Sequence, residues 1–312
     1  MRAPIVTLTM NPALDVSTSV DRVVPEQKLR CATSRFDPGG GGVNVARAIR
    51  NLGGSALAVY PLGGPTGQAY RGFAEEAGVV GRVIAIAENT RESFTIDERS
   101  TGKQYRFVLH GPNLRETEWR ACLTTVGDHF PHGGYLVASG SLPPGVPVDF
   151  YAMLARVCAA HDVRVVVDAA GPPLDAALAE RVFLIKPSRD ELAALIGTDR
   201  ELRAEEQLAA AQEIVGDGRA NIVALTLGAA GALIVTAAGA LRLPTPDIEV
   251  VSAVGAGDAF LGALVLRLAE GRSIEDAFRT AVAAGSATAM RPGTELCRAD
   301  DVARLEETLA PE

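Results

Sequence analysis

The chain contains few cysteines, few basic clusters and no long apolar run. Its four cysteines, Cys31, Cys122, Cys158 and Cys297, are far apart and form no CxxC or Cys/His pattern. Neither a zinc site nor a disulfide framework is therefore predicted. The cysteine pattern fits a protein of the reducing cytoplasm best. The net charge is −8 and the Lys and Arg residues are scattered, which argues against a nucleic-acid partner. No apolar run reaches the roughly 18 residues of a membrane span, and the first residues do not resemble a signal peptide, so we expect no membrane association.

The 312 residues are 47% hydrophobic, enough for a large α/β core. Short β-branched runs alternate with Ala/Leu-rich stretches of helical periodicity. Strands are predicted within 5–10, 56–63, 135–140, 163–168, 182–188 and 222–228, and helices near 43–52, 148–161, 202–216, 256–270 and 274–290. This alternation predicts a mainly parallel sheet covered by helices on both faces, with the functional site at the carboxyl ends of its strands.

Two segments are too polar for the central sheet. Residues 17–36 and 92–108 alternate polar and apolar side chains, with a predicted turn at 100–102. We expect them to pair as a small antiparallel sheet, a lid whose apolar face covers a substrate or a second subunit. The predicted organisation is one core, residues 1–16, 37–91 and 109–312, and one lid, residues 17–36 and 92–108.

Four consecutive glycines stand at 39–42, in the stretch DPGGGGVNVARAIRNLGG of residues 37–54. Glycine destabilises regular structure unless the backbone needs a positive φ or a close approach, so the cluster indicates a ligand held against the main chain. Asn44 then falls in the first turn of the following helix, where it can meet a polar or anionic ligand. A loose loop is the alternative.

The stretch SAVGAGDAFLG, residues 252–262, places Asp258 at the start of another predicted helix. A dinucleotide-binding fingerprint is disfavoured because the acids that follow, Glu275 and Asp276, read as the first turn of a helix rather than a strand end. A P-loop is disfavoured because Gly102 and Lys103 lack its spacing. The helix start is expected to keep Asp258 ionised, and the backbone N–H groups of Gly255, Ala256 and Gly257 could hold a transferring phosphoryl group. The alternative is that Asp258 simply caps the helix.

Four motifs in this order resemble the PfkB, or ribokinase-like, family of sugar kinases: the glycine cluster, KPSRDE at 186–191, TLGAAG at 226–231 and VGAGDAF at 254–260. The resemblance extends over essentially the whole chain. It implies a ribokinase-like fold, ATP as phosphoryl donor and Asp258 as the base that takes a proton from the sugar hydroxyl. The segments 7–15, 26–31, 104–108, 139–145 and 295–297 are most similar to family members that phosphorylate fructose 6-phosphate.

The resemblance also implies the remaining site residues. The sugar phosphate would be bound by Asp15, at the end of the first strand, and by Gly40, Gly41, Asn44, Ser141, Arg91, Arg106, Lys28 and Arg30. The nucleotide would be bound by Lys186, Ser188, Thr226, Gly228 and Gly231, Mg²⁺ by Glu191, and K⁺ by Ser252, Val254 and Gly293. The cations suit an already phosphorylated sugar, because arginine recognises phosphate well. Ser188 replaces the family's usual Asn, which leads us to expect weaker affinity for the nucleotide or the metal.

The expected activity is ATP-dependent phosphorylation of fructose 6-phosphate to fructose 1,6-bisphosphate by a homodimer. Fructose 1-phosphate and tagatose 6-phosphate are alternative substrates within the family. A non-catalytic regulator that binds a sugar or a nucleotide is an alternative of another class.

Overall fold

The structure is a computed structural model that describes residues 2–130 and 132–309. Its strands are β1 Ile5–Leu8, β2 Ala13–Val20, β3 Arg35–Gly39, β4 Leu57–Leu62, β5 Val80–Ala85, β6 Arg91–Glu98, β7 Lys103–Val108, β8 Tyr135–Ser139, β9 Arg164–Asp168, β10 Val182–Ile185, β11 Ala220–Thr226, β12 Ala232–Thr236 and β13 Gly239–Leu243. Its α-helices are α1 Gly41–Asn51, α2 Gly64–Glu76, α3 Glu116–Gly127, α4 Phe150–Ala159, α5 Pro172–Leu178, α6 Arg189–Leu195, α7 Ala204–Gly216, α8 Ala256–Ala269, α9 Ile274–Ala289 and α10 Ala299–Thr308.

A nine-stranded sheet, in the order β13-β12-β11-β10-β9-β8-β1-β4-β5, runs through the middle of the molecule. The strands from β11 to β5 are parallel, and β12 and β13 add an antiparallel hairpin at one edge. Successive residues point to opposite faces: Leu136 and Ala138 pack in a core with α3 to α7, whereas Val137 packs in a second core with α1, α8, α9 and α10. The predicted α/β fold, with helices on both faces, is confirmed.

A second sheet has the order β3-β2-β6-β7. Its outer pairs are antiparallel, but β2 and β6 at its centre are parallel, so the predicted all-antiparallel pairing is wrong. The reason is that β2 follows β1 and β6 follows β5. Because β1 and β5 point the same way in the large sheet, the two segments that follow them enter the small sheet from the same side.

The small sheet starts earlier in sequence than the expected lid, at Ala13 and Arg91 rather than at 17 and 92. Asp15 therefore lies in the middle of β2 and not, as expected, at the end of the first core strand. Between β2 and β3, residues 21–34 form a mostly exposed arm that contains turns and bends rather than strand. Among the described residues, none of the helices combines the length and apolar character needed to span a bilayer.

Candidate active site

A cavity of about 550 Å³ lies between the carboxyl ends of the core strands and the small sheet. Ligands of parallel α/β sheets bind at this edge, outside the carboxyl ends of the strands. The walls include eleven of the residues expected from the sequence: Asp15, Gly40, Gly41, Asn44, Arg91, Arg106, Ser141, Glu191, Val254, Gly255 and Asp258. The fold thus brings the glycine cluster, the small sheet and the start of α8 to one place.

Asp258 lies in the first turn of α8, whose N-cap, Gly255, has φ 78°. A side chain at Gly255 would be strained by this φ, and its Cβ would lie 2.7 Å from the Leu296 side chain. The Asn44 amide, from the first turn of α1, donates to Asp258 Oδ2 at 2.9 Å. The starts of two helices therefore meet at one carboxylate.

The expectation that the helix start keeps the pKa of Asp258 low is wrong. Burial of the carboxyl and the nearby negative charge of Asp168 raise its pKa to about 7. The hydrogen bond from Asn44 and the positive charges of Lys186 and Arg47 act in the opposite direction but do not cancel the effect of burial. Asp258 is consequently a carboxyl that can gain or lose a proton near neutral pH.

The turn before Asp258 leaves backbone donors free. The Ala256 N–H donates to the Ala253 carbonyl at 3.3 Å, so this group is already engaged. Within the part of the chain that the structure describes, no backbone oxygen accepts a hydrogen bond from the N–H of Gly255 or Gly257. Two of the three donors expected to bind a phosphoryl group are thus available at the positive end of α8.

Asp168 is a site residue that the sequence reasoning missed. It ends β9 and lines the cavity, its Oδ1 lies 3.1 Å from Lys186 Nζ, and its Oδ2 accepts from the Ser139 hydroxyl at 3.1 Å. Burial alone would lower the pKa of Lys186, but the carboxylates of Asp168, Glu191 and Asp258 raise it above the ordinary value. The buried ammonium therefore stays charged beside Gly257. A polar residue ending a β-branched run, as in VRVVVD, was the available signal for Asp168.

The sugar side of the cavity is built from both sheets. Burial raises the pKa of Asp15 to about 7, although the charges of Arg47 and Arg91 oppose this shift. Arg91 donates to the backbone carbonyls of Leu109 at 3.1 Å and Asn11 at 3.0 Å. The Asn11 amide in turn donates to the Ser141 hydroxyl at 3.1 Å. Asn11, which the sequence reasoning also missed, thus links two residues expected to bind the sugar phosphate.

The expected nucleotide residues Ser188, Thr226, Gly228 and Gly231 do not line this cavity. Ser188 caps α6 through its hydroxyl, which accepts from the Glu191 N–H at 3.3 Å, and the Glu191 carboxylate accepts from the Ser188 N–H at 2.7 Å. Thr226, at the end of β11, donates its N–H to the Pro187 carbonyl at 3.0 Å. This contact joins the loop after β10 to the loop that contains the 3₁₀ turn Gly228–Ala230.

The three residues expected to hold K⁺ are close together. The Ser252 hydroxyl donates to the Gly293 carbonyl at 2.9 Å, and the Val254 N–H donates to the same hydroxyl at 3.3 Å. By contrast, Lys28 and Arg30 lie on the exposed arm, and the structure of one chain does not bring them to the cavity.

Comparison with known proteins agrees with this architecture. The pfkB family of carbohydrate kinases matches residues 3–301. The ATP-dependent 6-phosphofructokinase isozyme 2 of Mycobacterium tuberculosis is 45% identical to this chain, with coverage of 98% of the chain and 90% of the relative. Relatives named 1-phosphofructokinase have lower identity, from 28% to 32%.

Two solved structures of Escherichia coli phosphofructokinase-2 are similar over their full length, with coverage of 100% of both chains. The complex with potassium has a TM-score of 0.95 at 40% identity, and the complex with fructose-6-phosphate has a TM-score of 0.93 at 39% identity. These similarities extend over the cores, the small sheet and every segment that lines the cavity. The chain belongs to the pfkB family of carbohydrate kinases.

Proposed function

We propose that this protein is a 6-phosphofructokinase, which transfers the terminal phosphoryl group of ATP to the C1 hydroxyl of fructose 6-phosphate. The observation that carries the proposal is the Asp258 carboxyl, which lies half-buried at the start of α8 beside free backbone donors and lines a cavity together with Arg91 and Arg106. The identity to relatives named 6-phosphofructokinase isozyme 2 is higher than the identity to those named 1-phosphofructokinase, which supports fructose 6-phosphate over fructose 1-phosphate.

In this proposal Asp258 takes the proton from the attacking hydroxyl. A base works best when its pKa is near the working pH, because it is then both ionised and basic enough to accept a proton. The pKa of about 7 at Asp258 meets this condition. The Asn44 amide, which donates to Oδ2, fixes the direction in which the carboxylate points.

Backbone donors and Lys186 receive the negative charge of the transferring group. The N–H groups of Gly255 and Gly257, at the positive end of α8, donate to no backbone oxygen among the described residues, and the Lys186 ammonium lies beside Gly257. In phosphoryl transfer, positioning and charge neutralisation provide most of the rate enhancement.

The residues present also fit Mg²⁺. Glu191 lines the cavity with one carboxylate, and Mg²⁺ in kinases is bound by one or two carboxylates together with water and phosphate oxygens. Glu191 is the residue that would hold the ion. When bound, Mg²⁺ neutralises charge on the nucleotide phosphates.

The phosphate already on the sugar would be bound by Arg91 and Arg106. Arg91 is fixed by two backbone carbonyls, so its guanidinium keeps one orientation. We propose that Lys28 and Arg30 act on the cavity of a second copy of the chain in a homodimer. The small sheet and its surroundings expose the apolar side chains Leu29, Phe36, Phe107, Val108 and Leu109, which a second copy could cover.

The decisive experiment is the substitution Asp258→Asn, which keeps the shape and the hydrogen bond from Asn44 but removes the base. We expect kcat with fructose 6-phosphate to fall by roughly 10²–10⁴-fold while KM changes little. Activity within tenfold of the wild type would contradict the assignment of the base. Assays on fructose 1-phosphate and tagatose 6-phosphate test the substrate. A wild-type protein that shows no ATP turnover with any of the sugars would favour a regulatory role.

We also propose that K⁺ supports activity at Ser252, Val254 and Gly293. The fit is that the Ser252 hydroxyl hydrogen bonds to both of the other residues, which joins the segment before α8 to the loop after α9. A cation bound there would add positive charge near the phosphoryl site. Activity is therefore expected to be higher in K⁺ than in Na⁺ at equal ionic strength. Equal rates in the two salts, measured with a choline control, would rule out the dependence.

A further inference from the structure

A chain of hydrogen bonds, partly buried at Asp258 and buried beyond it, leads from Asp258 through α1 to the small sheet. Asn44 Nδ2 donates to Asp258 Oδ2, and Arg47 Nη1 donates to Asn44 Oδ1 at 3.0 Å. Arg47 Nη1 also donates to the Pro38 carbonyl at 3.2 Å, and Arg47 Nη2 donates to Asp37 Oδ1 at 3.1 Å. Asn44 and Arg47 are three residues apart on one helix, so they lie on the same face.

The order of donors and acceptors along this chain is fixed by Arg47. A guanidinium offers only donors and keeps its proton at any physiological pH, so only the oxygen end of the Asn44 amide can face it. The nitrogen end must then face Asp258. If Arg47 were absent, the amide could turn about its last torsion and present its oxygen to the carboxyl instead.

Arg47 is itself held by Asp37 of β3. Both side chains are largely buried, with exposed fractions of 10% for Arg47 and 7% for Asp37. The other carboxylate oxygen of Asp37 accepts from Arg35 at 2.7 Å and from the Thr294 hydroxyl at 2.6 Å. Burial alone would raise the pKa of Asp37, but these hydrogen bonds and the Arg47 charge hold it below the ordinary value. The arginine therefore has a permanent ionised partner.

We propose that Arg47 is a positioning residue for the reaction, which acts by locking the Asn44 amide so that its N–H always points at Asp258. The proposal rests on the proposed role of Asp258 as the base. Once Asp258 has taken the proton from the sugar, Asn44 cannot turn to accept a hydrogen bond from the new O–H group. The lock therefore favours the ionised carboxylate before the transfer and the release of the proton after it.

The test is a double-mutant cycle on kcat with the variants Arg47→Met, Asn44→Ala and the combination. Because a misplacement of about 1 Å can cost 10²-fold in rate, we expect Arg47→Met to lower kcat by roughly 10- to 100-fold, with the KM for ATP unchanged within about twofold. In the Asn44→Ala background the same substitution should have little further effect. Effects that multiply independently would overturn the proposal.

Two additional variants separate positioning from folding. Arg50→Met changes an exposed arginine on the same helix and should leave kcat unchanged. Arg47→Lys keeps a positive charge near Asp37 but has no planar fork to contact Asp37 and Asn44 together. Arg47→Lys is measured in the same double-mutant cycle with Asn44→Ala, so that the result does not depend on whether Arg47→Met folds.

A crystal structure of Arg47→Lys provides a measurement that does not depend on activity. In crystals grown below pH 7, where Asp258 carries its proton, we expect the Asn44 amide to turn, so that neutron diffraction shows its oxygen beside Asp258 Oδ2 in place of the Nδ2 atom that lies 2.9 Å away in the wild type. An unchanged amide would refute the lock even if the enzyme were active. A wild-type protein that does not phosphorylate fructose 6-phosphate would refute the proposed function instead, and this structural comparison would still decide the role of Arg47.

Discussion

Two opposing effects act on Asp258, and the larger one sets its chemistry. The start of a helix favours a negative charge by at most about 2 kcal/mol. Removing the carboxylate from water and placing it near Asp168 disfavours the charge more strongly, which raises the pKa to about 7 from its ordinary value of 3.8. A carboxyl with an ordinary pKa would be a weaker base towards a sugar hydroxyl.

The pH dependence of kcat/KM should report this shift. Asp258 must be ionised to accept a proton, so kcat/KM is expected to fall as the pH decreases through about 7. The substitution Asp168→Asn removes a negative charge that raises the pKa of Asp258, so it should move the acidic limb to lower pH. An acidic limb near pH 4 in the wild-type enzyme would show that Asp258 is not shifted. The profile is measured below saturation with fructose 6-phosphate.

At this scale, sequence reasoning located the residues that belong to glycine-rich motifs and missed those that the fold brings to them. Asp258 and Asn44 each stand in a recognisable local pattern. Asp168, Asn11 and Arg47 were missed, although each lies in or at the end of a stretch with a recognisable pattern, because their roles arise from contacts across the sheet or across a helix face. The pKa of Asp258 was predicted in the wrong direction because burial cannot be seen in an isolated helix start.

At the scale of elements, α6 shows one side chain serving a structural role where a nucleotide contact was expected. The Ser188 hydroxyl accepts from the Glu191 N–H and thereby caps the helix. The weaker interaction with the nucleotide, expected because Ser188 stands where the family usually has Asn, stays a prediction.

The substitution Ser188→Asn should therefore lower the KM for ATP. Asn caps helices as well as Ser, so the stability of the protein should not change, whereas Ser188→Ala should lose about 1 kcal/mol of stability. Steady-state kinetics and urea unfolding measure the two effects separately. An unchanged KM for ATP in Ser188→Asn would remove the hypothesis.

The elements predicted from periodicity all form, while several elements whose sequences do not show a clear helix or strand pattern were missed. All six predicted core strands and five predicted helices are present with small shifts of their ends. The missed helix α2 begins with Gly64 and Pro65, which read as a loop although proline is well tolerated in the first turn of a helix. The parallel pairing of β2 and β6 could not be read from either segment, because it depends on where β1 and β5 lie in the large sheet.

At the scale of the whole molecule, the exposed apolar side chains of the small sheet argue for the proposed homodimer. Phe107 is 52% exposed at the end of β7. We expect Phe107→Ser to weaken dimerisation and to raise the KM for fructose 6-phosphate, because Lys28 and Arg30 would no longer reach the cavity of the partner. Val157→Ser, on the similarly exposed Val157 of α4, is the matched control. Sedimentation velocity measures the assembly, and a monomeric wild-type protein would contradict the prediction.

The central pair of the small sheet also affects the order of folding. β2 and β6 are joined through residues 21–90, so β3, α1, β4, α2 and β5 must all be synthesised before the two strands can meet. Contacts between segments so distant in the chain carry a loop-closure entropy and form slowly. A nascent chain therefore cannot complete the small sheet until β7 has been made, and β8 to β13 of the large sheet follow later still, so the cover of the cavity and most of the sheet beneath it come from different stretches of the chain.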